Sequence, residues 1–330
     1  MNYRFSTFAC RSIAAVMLSA TALPALAQDG GSWPADQITI IVPFGAGGSS
    51  DQLGRILAEG LSEKYGQRVV VENRPGNAGI TGSQLVARAE PDGYTLVVSG
   101  IASHVIAPVV NSSVPYDPIE DFTHIAFLGG PPTVLAVANN SGIDDFADLV
   151  ETAKTAEPRL RYGVPGYGTH GHLVGEYFQQ LAELEFEPVA YESGAEASID
   201  LLGGHVPVSS NSLLSTAQHL QSGGVRGIAV TSEERLESYP DLPTFVELGY
   251  PDLVAMTWFS ISGPAGIPED VVTQLNADIR EVLNSEEVAS SFREDGVLIN
   301  DFDVPAFNEF IAAETEKWTA IAEGAGIQAQ

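Results

Sequence analysis

The sequence predicts an α/β protein of mostly parallel sheets flanked by helices. Three observations carry this reading. Short β-branched runs alternate with helical periodicities along the chain. Glycine-rich turns connect many of them, as in right-handed βαβ units. The length, 330 residues, is enough for two domains of about 150 residues each with ample core.

The elements follow in order. Residues 1–27 read as a secretory leader. Arg4 and Arg11 give a positive start, Ile13 to Leu18 an apolar run, and Ala25-Leu26-Ala27 a small-x-small cleavage site, with Gln28 as the new N-terminus. The apolar run is too short to span about 30 Å of hydrocarbon. Ile38 to Val42 is a strand ending at Pro43. The turn Phe44-Gly45-Ala46-Gly47-Gly48 follows, with Ser49 as N-cap and Gln52 completing a capping box. Leu53, Ile56, Leu57 and Leu61 then share a helical face. Arg68 to Glu72 and Tyr94 to Val98 read as strands, with a short helix at Gly82 to Ala89 between them. Ile125 to Leu128, Val134 to Val137, Leu160 to Val164 and Gly227 to Val230 are strand-like. Asp144 to Ala156, His172 to Leu184, Ile199 to Leu202 and Glu269 to Leu283 are helical. Met256 to Ser260 is extended, and Pro305 to Glu323 forms a last helix. The turns at Gly129 to Pro132 and near Gly249-Tyr250-Pro251 punctuate the chain as candidate crossings. They would make the middle third one domain and the two ends together the other.

Composition narrows the function. Hydrophobic residues make up 44% and charged residues 18%, which suits a folded soluble protein. Fifteen Lys and Arg stand against 43 Asp and Glu, a net charge of −28, so no footprint for nucleic acid or anionic lipid exists. Loss of Arg4 and Arg11 with the leader leaves 13 basic residues. An acidic coat of this kind serves solubility, and in a saline medium its self-repulsion is screened. The one cysteine, Cys10, lies in the leader, which excludes an internal disulfide framework and a thiolate metal cluster.

Two glycine turns carry the chemistry. Phe44 to Ser50 sits between a strand's carboxyl end and a helix start, where free amides and the helix dipole suit an anion. No Lys follows its glycines, so it is not a Walker loop. Gly166-Tyr167-Gly168-Thr169-His170-Gly171 has the same setting. It also matches G-x-G-x-x-G, with Glu185 and Glu187 about 20 residues on, which admits a dinucleotide enzyme. Its mid-chain place and the export signal favour a second anion cradle. His170, His172 and Glu176 form a possible metal set without HExxH spacing, and a structural role for the histidines is favoured. There is no G-x-S-x-G elbow.

Several segments together resemble the Bug-type (TctC-like) periplasmic solute-binding proteins of tripartite tricarboxylate transporters, over residues 33 to 327. They include Ile41 to Phe44 with Gly47, Gly48 and Asp51; Val71 to Gly76; Pro91 to Leu96; Pro115 to Pro118; and Gly166 with Gly168-Thr169 and His172-Leu173. Leu201 to Gly204, Pro240 to Thr244 and Trp258-Phe259 with Pro264 to Gly266 complete the set. The resemblance implies two α/β lobes closing over a small organic carboxylate, delivery to membrane permease subunits, a monomer, and neither cofactor nor catalysis. The lobes would comprise residues 28–128 plus 256–330, and 129–255. The implied ligand-binding residues are Phe44, Gly45, Ala46, Gly47, Gly48, Ser49, Ser50, Ser103, His104, Gly166, Tyr167, Gly168, Thr169 and Asn211, with Trp258 as an apolar wall. Tyr167, Glu192, Pro207 and Ala107 depart from the family pattern. The first two make the pocket narrower or less favourable to anions than a plain tricarboxylate needs. A periplasmic sensor that presents a bound carboxylate to a receptor is the alternative, ahead of an NAD- or metal-dependent enzyme.

Overall fold

Apolar, β-branched segments pair first with their neighbours in the chain. The computed structural model describes residues 33–299 and 302–324; the leader expected at 1–27 lies outside the described residues. Strands β1 (Ile38–Val42), β2 (Val69–Asn73) and β3 (Thr95–Gly100) are parallel and joined through helices, as the sequence predicts. β4 (Phe122–Gly129) precedes the first crossing. Beyond it lie β5 (Thr133–Ala138), β6 (Leu160–Val164), β7 (Phe186–Ala190), β8 (Val208–Ser212) and β9 (Val225–Val230). The chain then returns to β10 (Phe259–Pro264). One sheet has the order β2-β1-β3-β10-β4, the other β7-β6-β8-β5-β9.

Both sheets are mixed, with four strands running one way and one reversed. β10 is antiparallel to β3 and β4, and β5 is antiparallel to β8 and β9. The reversed strand is in each case the one that enters directly from the other sheet. A chain that leaves one sheet at its carboxyl end and enters the next across a cleft arrives head-on, so it pairs antiparallel. The two crossings support each other: Pro132 bridges Met256, and Thr257 N donates to Pro131 O at 2.8 Å. The Gly249 to Pro251 turn is not a crossing, because Tyr250 packs with Phe146, Phe178 and Phe245 in the second sheet's core.

Burial follows the predicted faces. Leu53, Leu57 and Leu61 of the helix Ser49–Tyr65 are almost fully buried, each worth about 1.5–3 kcal/mol relative to exposure. The last helix, Val304–Gly324, adds Phe307, Ile311 and Trp318 to a cluster shared by Ile101, Val105 and Phe127 on one side and Leu173 and Val174 on the other.

Candidate ligand-binding site

The carboxyl ends of β1, β3, β6, β7 and β8 converge on the cleft between the sheets, the usual ligand position in open α/β sheets. Four of these strands lead into helices whose first residues border one inner cavity of about 50 Å³. The helices are Ser49–Tyr65, His170–Ala182, Gly194–Leu202 and Leu213–Gln221. First-turn amides lack intrahelical acceptors, and each helix start carries roughly half a positive charge. No Lys, Arg, Asp or Glu lines this cavity. Its polar character therefore comes from backbone dipoles, hydroxyls and uncharged side chains.

The first turn is held by Asp51, a buried carboxylate. Its Oδ2 accepts from Gly47 N (2.8 Å) and Arg55 Nε (2.8 Å); its Oδ1 accepts from Arg55 Nη2 (2.9 Å) and Asn73 Nδ2 (2.9 Å). Burial pushes its pKa up, but Arg55, the Gly47 amide and Asn73 together outweigh burial and hold it below the ordinary carboxylate value. Gly47 sits at φ +80°, which disfavours any side chain. The capping box expected at Ser49 and Gln52 does not form. Gly48 is the N-cap, and Gln52 Nε2 instead donates to Gly47 O at 3.0 Å. Ser49 is thereby the first helical residue, and its hydroxyl is available to the cleft. It meets Ser212 Oγ at 2.7 Å and Ser215 Oγ at 2.8 Å, and Ser49 N donates to Ser215 Oγ at 3.0 Å. These contacts tie the two halves together over the cavity. The Ser50 hydroxyl borders the cavity and has no hydrogen-bond partner among the described residues.

From the opposite half, Thr169 is the N-cap of its helix and lines the cavity, with Oγ1 donating to Gly166 O at 2.8 Å. Gly171 allows this helix to lie against β8: a Cβ there would stand 2.5 Å from Ser210 O. Asn211 borders the cavity but spends its amide on protein. Nδ2 donates to Gly194 O (2.8 Å) and Ser198 Oγ (3.1 Å), and Oδ1 accepts from Ser212 N (2.8 Å). It positions two helix starts.

The sequence-derived residues divide by place. Phe44, Gly48, Ser49, Ser50, Ser103, Thr169 and Asn211 line the inner cavity. Gly166, Tyr167 and Gly168 line an outer vestibule of about 750 Å³, which shares Phe44 and Pro165 with the inner cavity. Gly45, Ala46 and Gly47 line neither. Gly45 N donates to Glu192 O (3.0 Å), closing the rim.

Two expectations need correction. Trp258 is not a wall. It is fully buried among Phe127, Phe307 and Phe310, and its Nε1 donates to Glu314 Oε2 at 2.9 Å. Its chain neighbours Thr257 and Phe259 line the cavity instead. His104 also stays out of the lining. It lies behind Ser103, with Nδ1 2.9 Å from Ser103 Oγ, packed on Phe122 and Tyr116. Burial, then the neighbouring His124, lowers its pKa well below the usual imidazole value.

Sequence reasoning missed Ser99, Gly194, Ser215 and Thr257, whose types carry no signal by themselves. For His170 the sequence favours a structural role over a metal ligand, and gives no sign of a place in the cavity. His170 lines the cavity, and its Nδ1 lies 2.6 Å from Thr257 Oγ1 and 3.1 Å from Thr133 Oγ1, one hydroxyl from each crossing. Burial depresses its pKa to about 3. His172 Nδ1 accepts from Gly168 N at 3.1 Å, and its Nε2 lies 3.7 Å from Glu176. Among the described residues, no three His, Cys, Asp or Glu side chains are placed to share a metal ion.

Residues 53–327 match the family described as tripartite tricarboxylate transporter family receptor, TctC. The chain belongs to this family. BugT of Bordetella pertussis (strain Tohama I) is 32% identical over 298 residues, covering 90% of this chain and 91% of BugT. The R. palustris protein Rpa4515, solved with adipate, is 33% identical with a TM-score of 0.87, covering 90% of this chain and all of that one. MatC of Rhodopseudomonas palustris, solved with bound malate, is 25% identical with a TM-score of 0.84, covering 88% and 99%. This TctC-family chain has the two-lobed α/β fold of those structures. It is a periplasmic solute-binding protein, and the family and its structural relatives are binding proteins, not enzymes. Among the described residues no helix is long and apolar enough to cross a membrane.

Proposed function

We propose that this TctC-family protein captures a small organic carboxylate in the inner cavity and delivers it to the permease subunits of a tripartite tricarboxylate-type transporter. In this reading it is exported as a monomer after cleavage at Ala27. Its lobes are residues 28–128 plus 256–330, and 129–255. The observation that carries the proposal is the convergence of four helix N-termini on a hydroxyl-lined cavity with no charged side chain. On a chain of net charge −28, long-range attraction of an anion is absent, so capture must rely on this local field.

Ser50 and the first-turn amides of its helix would bind one face of the carboxylate. Thr169 would donate from the other lobe by turning its hydroxyl away from Gly166 O. Differential affinity for the closed form then shifts the lobes from open to closed.

The test is a thermal-shift screen of the mature protein against mono-, di- and tricarboxylates, acidic amino acids and aromatic acids, with NAD and divalent metals as controls. At 100 times Kd a ligand stabilises by about 2.7 kcal/mol. A shift confined to a carboxylate class is expected, together with a Thr169→Val variant that weakens binding more than it weakens folding, the latter by the lost bond to Gly166 O. A shift with NAD or metal alone would overturn the proposal.

A further inference from the structure

The inner cavity, at about 50 Å³, has room for roughly three or four waters, hence for one carboxylate and the carbon bearing it. Any longer ligand passes between Phe44 and Pro165, which both spaces share, and places its far end in the vestibule. The vestibule's charge differs from the inner cavity's. Glu192 is the one acidic residue among its lining residues, and no Lys or Arg lines it. His172, also in the lining, has its pKa lowered by burial, which outweighs the opposing pull of Glu176, and its Nδ1 accepts from Gly168 N. Nearby basic groups are turned to other partners, Arg74 to Glu72 and Arg161 to His205 O.

Glu192 is held in place by its own backbone. Its carbonyl accepts from Gly45 N across the cleft at 3.0 Å, and its amide donates to Glu196 Oε2 at 3.1 Å. Glu196 therefore brings a second carboxylate to the same rim. The Gly45–Glu192 bond thus fixes this acidic rim beside the vestibule.

We infer that the vestibule sorts ligands by the charge of the end remote from the anchored carboxylate, with Glu192 as the specificity-determining residue: an ammonium is preferred to a methyl, and a methyl to a second carboxylate. This rests on the carboxylate-anchor reading above. The selected class is then monocarboxylates with cationic or neutral tails, in contrast to the dicarboxylates in the two solved relatives.

Calorimetric titration of isosteric series tests this. The six-carbon set is 6-aminohexanoate, hexanoate and adipate; the four-carbon set is 4-aminobutyrate, butyrate and succinate. Changing the tail from +1 to −1 some 6 Å from one carboxylate in a water-like medium changes affinity about tenfold. The wild type is expected to favour the amino acid over the diacid by about that factor in at least one set, with the gap narrowing at high salt. Glu192→Gln should shrink the gap, and Glu192→Lys should invert it. A wild type that binds the diacid as tightly as the amino acid, or an unchanged order in Glu192→Lys, would overturn the inference alone. Failure of all six acids to bind would overturn it together with the carboxylate anchor.

Discussion

Replacing Asp51 with Asn tests how the first glycine turn is held. The carboxylate accepts four hydrogen bonds, two on each oxygen. An asparagine offers one acceptor oxygen, so in either orientation two donors face an NH₂ group. One orientation strands Gly47 N and Arg55 Nε, the other Arg55 Nη2 and Asn73 Nδ2. The Arg55 side chain is 55% exposed, so its share is screened and small. The remaining charge-assisted bond is worth about 1.5–3 kcal/mol. Asp51→Asn is therefore expected to lower unfolding free energy by about 2–3 kcal/mol at pH 7, read from urea denaturation. The loss is pH-dependent. Because the folded pKa of Asp51 lies below the unfolded one, its contribution is complete above about pH 4 and disappears as pH falls through the folded value. Wild type and variant should thus converge in strong acid. Ligand affinity should fall too, since Gly47 fixes the approach of the helix that lines the cavity. A variant within 0.5 kcal/mol of wild type at pH 7, or a difference that stays constant into acid, would refute the reasoning.

Other expectations follow from the same geometry. Gly171→Ala places a Cβ 2.5 Å from Ser210 O, a backbone atom that cannot swing away. It should cost about 2 kcal/mol or more and weaken binding by displacing the Thr169 helix start, measured by denaturation and calorimetry. Trp258→Phe removes the indole bond to Glu314 inside the core. A stability loss of about 2 kcal/mol with unchanged ligand affinity is expected, and a large change in affinity would restore Trp258 to the site. His104, His124 and His170 are all kept neutral by burial, with pKa values depressed well below 6.5, to about 4 and about 3 for the latter two. The unfolded chain takes up these protons first, so their contribution is complete above about pH 6.5 and drains away on acidification toward the folded values. The slope approaches about 2.7 kcal/mol per pH unit for His124 and His170 together near pH 5, and His104 acts in the same direction. Urea midpoints that stay constant from pH 7 to pH 5 would contradict this.

Local signals in the sequence determined much of this protein. β-branched runs marked β1 and β2, since strand formers need no distant partner to be recognised. The two glycine turns marked where helices start at the cleft, because positive-φ backbone at Gly47 and Gly168 restricts the residue type there. Tertiary structure decided the rest. β8, Val208-Ser209-Ser210-Asn211-Ser212, is central in its sheet and buried throughout, yet it has no apolar pattern. Its polar groups are satisfied only by partners from elsewhere: Gly163 O for Ser209, Gly171 O for Ser210, and the Ser49 hydroxyl for Ser212. The Trp258 ring and the Thr257 hydroxyl, adjacent in sequence, were separated into core and cavity by the register of the second crossing. The proposed carboxylate site could not be read from side chains, because most of its positive potential belongs to backbone amides. Peptide groups are the same at every position, and only the packing of four helices around one point gives their dipoles a common focus.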